Sequence, residues 1–162
     1  MALKKPLVLY TGLPGQIQST DTLDVPGIAA GDVIQQTNDE AGAIVIGAPV
    51  YNDANDGVKK AKADASGTSP VIGLVAQASI SNGVAGSIQT TGVLAATTGQ
   101  WDAVFGTTGG LTRGTRYFLS AATAGLGTST APSTVGQYVV LLGIAISTTE
   151  LSLASPFTPI SL

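Results

Sequence analysis

The chain contains no cysteine and no histidine. Disulfide frameworks, zinc–thiolate sites, cysteine nucleophiles and histidine general bases therefore drop out together. Charge is scarce as well. Charged residues make up 10% of the sequence, whereas about 25% is ordinary for soluble proteins. A free-standing monomer carries more charge than this for solubility, so part of the surface is expected to be covered by other subunits. Long apolar runs are missing too: none reaches the roughly 18 residues of a membrane-spanning helix, and no membrane partner is expected. The start, MALKKPLVLYTGLPG, has too short an apolar run for a signal-peptide core. It points to a protein that stays where it is made.

The net charge is −3. Its one internal basic cluster, Lys59, Lys60 and Lys62, lies in a Val58–Ala63 run. An acidic chain with a single small basic cluster argues against a nucleic-acid partner. Lysines on an exposed strand guard an edge against unwanted pairing.

What the chain does have is 21 glycines and 8 prolines, spread along its whole length. Between them lie short runs rich in Val, Ile, Thr and Tyr. This pattern predicts an all-β fold, a small barrel or sandwich of short antiparallel strands. The expected strands are Pro6–Tyr10, Gln16–Ser19, Asp32–Thr37, Ala48–Tyr51, Val58–Ala63, Val71–Ile80, Ser87–Leu94, Thr115–Ser120, a short one near Gly127, Tyr138–Ser147 and Leu151–Leu153. Asn52–Gly57 and Ser81-Asn82-Gly83 read as tight turns, the second as a hairpin. A single helical turn fits Gln100–Phe105. Trp101 and Phe105, four residues apart, would share its face as a hydrophobic plug.

Two segments echo one another. VIGLVAQAS (71–79) and VVLLGIAIS (139–147) are nearly continuous apolar runs. Such runs, bounded by turns, read as strands buried on both faces. The echo extends to pseudo-repeats at about 46–79 and 113–147, with Gly47 on Gly114, Val50-Tyr51 on Tyr117-Phe118, and Gly73 on Gly143. A glycine inside each apolar run predicts a bulge or a close backbone approach. The expected core is Tyr51, Ile72, Leu74, Trp101, Phe105, Tyr117, Val140, Leu142 and Ile144.

Motifs for chemistry are absent. There is no phosphate-binding loop, no dinucleotide fingerprint and no nucleophile elbow. Most of the carboxylates sit in turn-like settings. NDANDG (52–57) lacks the glycine and glutamate of a calcium loop and reads as a hairpin turn. No enzyme activity, catalytic residue, metal site or cofactor is expected.

Residues 109–153 carry a resemblance. The elements GLTRGTRYFLS, a Gly-containing turn, TAPSTVGQY and VVLLGIAIS are similar to a module of tailed-bacteriophage virion proteins. LVLYTGLPGQIQSTDTL, AAGDVIQQTND and GAPVYNDANDGVKKAKADASGTSPVIGLVAQAS resemble capsid decoration (cement) proteins of phages, and also occur in fibre and baseplate proteins. The resemblance implies a homotrimer that binds the major capsid protein on the outside of a phage head and stabilises it. Its location would be the virion surface, after synthesis in the host bacterial cytoplasm. A fibre or baseplate module that binds a host-surface glycan is the alternative. Extended terminal arms usually help such proteins. Here they would be residues 1–15 and 154–162, flanking a single β-domain at 16–153. Lys4, Lys5, Pro6, Leu7, Leu9 and Tyr10 form the candidate capsid-contact arm.

Overall fold

The computed structural model describes residues 32–162. The N-terminal arm, its six candidate contact residues and the strands expected at Pro6–Tyr10 and Gln16–Ser19 lie outside the described residues. The rest is all-β apart from one helix. The elements run β1 (Val33–Thr37), β2 (Ile44–Val45), β3 (Pro49–Asn52), β4 (Val58–Lys60), β5 (Gly73–Val75), β6 (Ser79–Ile80) and β7 (Ala85–Gln89). They continue with β8 (Val93–Ala95), α1 (Thr98–Phe105), β9 (Arg116–Leu119), β10 (Gly127–Thr128), β11 (Tyr138–Val139), β12 (Leu141–Ala145), β13 (Glu150–Leu153) and β14 (Ile160–Ser161).

Two five-stranded antiparallel sheets dominate. The first has the order β1-β7-β5-β3-β4 and the second β8-β13-β12-β9-β10. Read along the chain, each sheet lays down an edge strand first, then a hairpin, then the two strands that join them. The registers agree row by row. Pro49–Leu74–Gln89–Val33 crosses the first sheet, and Arg116–Ile144–Ser152–Val93 crosses the second. Val50 pairs with Gly73 as Tyr117 pairs with Gly143. Loop hydrogen bonds correspond as well. The Gly47 N–H donates to Val75 O at 2.8 Å and that of Gly114 to Ala145 O at 2.7 Å. The Thr90 N–H donates to Asp32 O as Leu153 N–H does to Gly92 O, both at 2.8 Å. The two units are thus one supersecondary plan used twice, and they include β1 and β8, outside the segments where the sequences echo.

The sheets share a core. From the first unit it takes Ala61, Ala63, Val71 and Leu74; from the second, residues including Trp101, Phe105, Tyr117, Leu119, Val140, Leu142 and Leu151. A second cluster, with Val50, Val58, Val75 and Ile88, lies on the other face of the first sheet under Ile44 of β2 and Ile80 of β6. Strand β5 is therefore covered on both sides, by Leu74 in one cluster and Val75 in the other, both fully buried. The expectation of a doubly buried strand holds for this copy.

It fails for the other copy. In β12, Leu142 and Ala145 point into the shared core, but Ile144 is 38% exposed and Ile146 beyond it is exposed too. Ile144 is therefore not a core residue. The reason is stacking: the second sheet covers the Leu74 face of the first, and no described element covers the equivalent face of the second. Tyr51 and Ile72 are half-buried residues that pack at the margins of the two clusters. Leu74, Trp101, Phe105, Tyr117, Val140 and Leu142 are buried as expected.

Three expected long strands are shorter. Val71–Ile80 divides because the Gln77 side chain accepts the Ser87 N–H at 2.9 Å. The chain then leaves β7 and pairs β6 with β2. Ser87–Leu94 divides at Thr90–Gly92, which carries the chain from the first sheet to the second. Tyr138–Ser147 divides at Val140, whose carbonyl accepts from Leu119 N–H at 2.9 Å. A bulge follows between Leu141 and Gly143. At both Gly73 and Gly143 an added Cβ would press on a carbonyl of the neighbouring strand, Gln89 O and Ser152 O respectively.

Helix α1 begins with a capping box. The Thr97 hydroxyl accepts the Gln100 N–H, and the Gln100 side-chain carbonyl accepts that of Thr97. It fills the end of the core with Trp101, Val104 and Phe105. Trp101 stacks on Phe105 at 5.5 Å and Phe105 on Tyr117 at 4.5 Å. The indole N–H donates to Thr149 O at 2.9 Å, which satisfies its one polar atom.

Candidate interaction surface

Few charged groups converge among the described residues. Among the described residues no group of three Asp or Glu side chains is placed to hold a metal ion. The turn Asn52–Gly57 is a hairpin connection, closed by Asp53 N–H to Gly57 O at 2.8 Å. Its Asp53 carboxylate is engaged by Lys59 at 2.8 Å. The Lys59 ammonium holds the Asp53 carboxyl below its ordinary range, and Asp53 in turn raises Lys59. Lys62 likewise pairs with Asp64 at 2.6 Å and lowers it. Two of the three clustered lysines are thus neutralised by neighbours from their own hairpin and loop. The third, Lys60, lays its stem against Gly125.

Among the described residues Asp102 is the most fully ligated carboxylate. It accepts from Thr107 Oγ1 at 2.7 Å, Gly110 N at 2.8 Å and Gly109 N at 3.0 Å. These bonds, that from Thr107 foremost, hold its carboxyl below the usual value. The loop after α1 would be an anion-binding nest, but the protein's own side chain fills it. The sequence signal was present in the pairing of an Asp with T-T-G-G five residues on. Composition alone does not distinguish it from an ordinary turn.

The C-terminal segment 154–162 was expected as an extended arm. Instead it is fastened to its own body. Phe157 is buried in the shared core, and β14 pairs antiparallel with β11. The resulting ribbon turns an apolar face outward. Val139 lies across from Ile160, and Leu162 N–H donates to Gln137 O at 3.0 Å. Val135 stands at the tip of the adjoining turn and is 88% exposed; Ile160 and Leu162 are exposed too. Tyr138, on the opposite side, packs against the core. A β-ribbon with a solvated face normally alternates apolar-in and polar-out. This one exposes Ile160 and Leu162 beside the half-buried Val139, and among the described residues β14 has a partner along one edge only.

Beside the ribbon lies an open cleft of about 320 Å³, lined by hydroxyls and amides that include Ser120, Thr128, Thr130, Ser133, Thr134 and Gln137. A second apolar surface is the outer face of the second sheet, where Val93, Ile144 and Ile146 are exposed. The outer sheet face was not legible as a surface, since Ile144 reads from the sequence as a core residue.

No family model matches the chain, and no curated protein shows significant similarity to it.

Proposed function

We propose that this chain is a structural virion protein: a homotrimeric capsid decoration, or cement, protein that binds the major capsid protein on the outer surface of a phage head and stabilises it. The observation that carries this reading is the C-terminal ribbon, where Ile160 and Leu162 are exposed beside the half-buried Val139, Val135 is exposed at the adjoining turn, and among the described residues β14 has an unpaired edge. An apolar face with an open edge suits strand addition to a partner sheet. The charge-poor composition and the resemblance of residues 109–153 to phage virion modules support the same reading. On this reading the protein acts at the capsid surface after synthesis in the bacterial cytoplasm.

The test mixes the full chain with undecorated expanded capsids. Co-sedimentation and a rise in the capsid's heat-disruption temperature are expected. Both should weaken in the variant Ile160→Asp/Leu162→Asp. Absence of binding to capsids removes the proposal.

The cleft beside the ribbon favours a second reading, a fibre or baseplate module that binds a host-surface glycan. Its hydroxyl and amide lining could hydrogen-bond a sugar. Selective binding on a glycan array, lost on Gln137→Ala, would favour that reading over the first.

A further inference from the structure

The two sheets stack with like orientation. The Pro49–Leu74–Gln89–Val33 row of the first sheet faces the second unit, and Leu74 there is fully buried. The equivalent row of the second sheet, Arg116–Ile144–Ser152–Val93, faces outward. So the outward face is built on the plan of a face that, in the same molecule, already packs against a sheet. Along β12 it carries Ile144 and Ile146, with Val93 exposed on β8.

Two charged residues sit on this face, and they have opposite signs. Arg116 is on β9, one strand to one side of β12 and level with Ile144. Glu150 is on β13, one strand to the other side and level with Ile146, whose N–H donates to Glu150 O at 3.0 Å. Among the described residues neither has an ion-pair partner. The Ser147 hydroxyl donates to the Glu150 carboxylate at 3.1 Å and steadies it. The midpoint between the two charges falls on β12 between the two isoleucines. A two-fold axis through that midpoint, lying in the plane of contact at right angles to the line joining the two charges, sets Arg116 of each copy over Glu150 of the other and brings the isoleucines of the two copies together. Such a pattern is self-complementary, which is the requirement for an isologous contact. Arg113, exposed in the loop before β9, adds positive charge at the Arg116 side.

We propose that the outer face of the second sheet is a self-association surface, where a second copy of this chain docks face to face with Arg116 of each copy against Glu150 of the other. The contact does not depend on capsid binding. If the trimer also forms, the two-fold contact pairs trimers into hexamers.

Sedimentation equilibrium of the full chain across a wide concentration range tests this. Even-numbered assembly is expected, weakened by added salt. Arg116→Glu and Glu150→Arg should each weaken it by about tenfold or more, and the double exchange should restore it. Ile144→Glu should abolish it while leaving the Trp101 fluorescence of the folded chain unchanged. A wild-type chain that stays monomeric, assembly into trimers alone that Ile144→Glu does not alter, or failure of the double exchange to restore pairing would each overturn the proposal. Capsid co-sedimentation of Ile144→Glu, run in parallel, separates this outcome from failure of the decoration reading.

Discussion

Trp101 lies against Gly47, so close that a Cβ on that glycine would meet the indole Cζ3 at 2.8 Å. The contact joins the helix of the second unit to the turn that opens the first unit's hairpin. Gly47 also has a φ of 80°. Gly114, its counterpart in the second unit, has a φ of 82° but open space where a Cβ would stand.

That difference separates two effects. Gly114→Ala carries only the backbone cost of a positive φ, roughly 1 kcal/mol. Gly47→Ala carries the same cost and in addition presses on the indole, adding about 1–3 kcal/mol of overpacking. Urea titration of the two variants should give this order, and equal losses would show that the indole yields freely. Trp101 is the single tryptophan of the chain, so its fluorescence reports both transitions directly.

Trp101→Ala empties the end of the shared core and frees the Thr149 carbonyl. The loss should be about 3–5 kcal/mol. Because the variant removes the fluorophore, the transition is read by circular dichroism. A loss well under this range would mean that Phe105 and Val104 collapse into the space.

Gly73→Ala and Gly143→Ala should behave alike, each destabilising by about 1–3 kcal/mol, since both force a methyl onto a carbonyl of the adjacent strand. Their agreement tests the equivalence of the two sheets. A neutral result at one site alone would show that its strand spacing can relax.

Asp102 sets a pH dependence. Its folded-state carboxyl lies below the ordinary value because Thr107, Gly110 and Gly109 donate to it. A depressed folded pKa contributes stability that is present above the unfolded-state value of about 3.9 and is lost as pH falls through the lower folded value. Thermal melts of the wild type should therefore fall more steeply below about pH 4 than those of Asp102→Asn. Asp53 and Asp64 are lowered too and share that acid limb. Parallel curves for the two proteins would remove Asp102 from the account.

The elements that local chemistry specifies were legible in the sequence. The hairpin turn at Asn52–Gly57, the turn at Ser81–Gly83 and the Trp101–Phe105 helical face were readable, because each rests on neighbours in the chain; the hairpin expected across Ser81–Gly83 was not formed, since β6 pairs with β2 rather than with β7. What could not be read was decided between distant segments. Nothing near Ile144 distinguishes it from Leu74; one is covered because a whole sheet lies over it, and the other has no such cover among the described residues. Residues 154–162 contain two prolines and look like an arm, yet Phe157 finds a place in the core and Ile160 a partner in Val139. Gln77 looks like an ordinary polar residue within an apolar run, but its side chain takes over a ladder bond and redirects the strand.

The double burial of β5 has a consequence for the order of events during synthesis. Leu74 leaves the ribosome well before the residues that cover it, among them Tyr117, Leu142 and Leu151. The opposite face of the first sheet is covered by Ile44 and Ile80, from the first unit's own stretch of chain, whereas the Leu74 face depends on residues made later. The buried surface of the first unit is therefore complete only once the second unit has been made and lies over it.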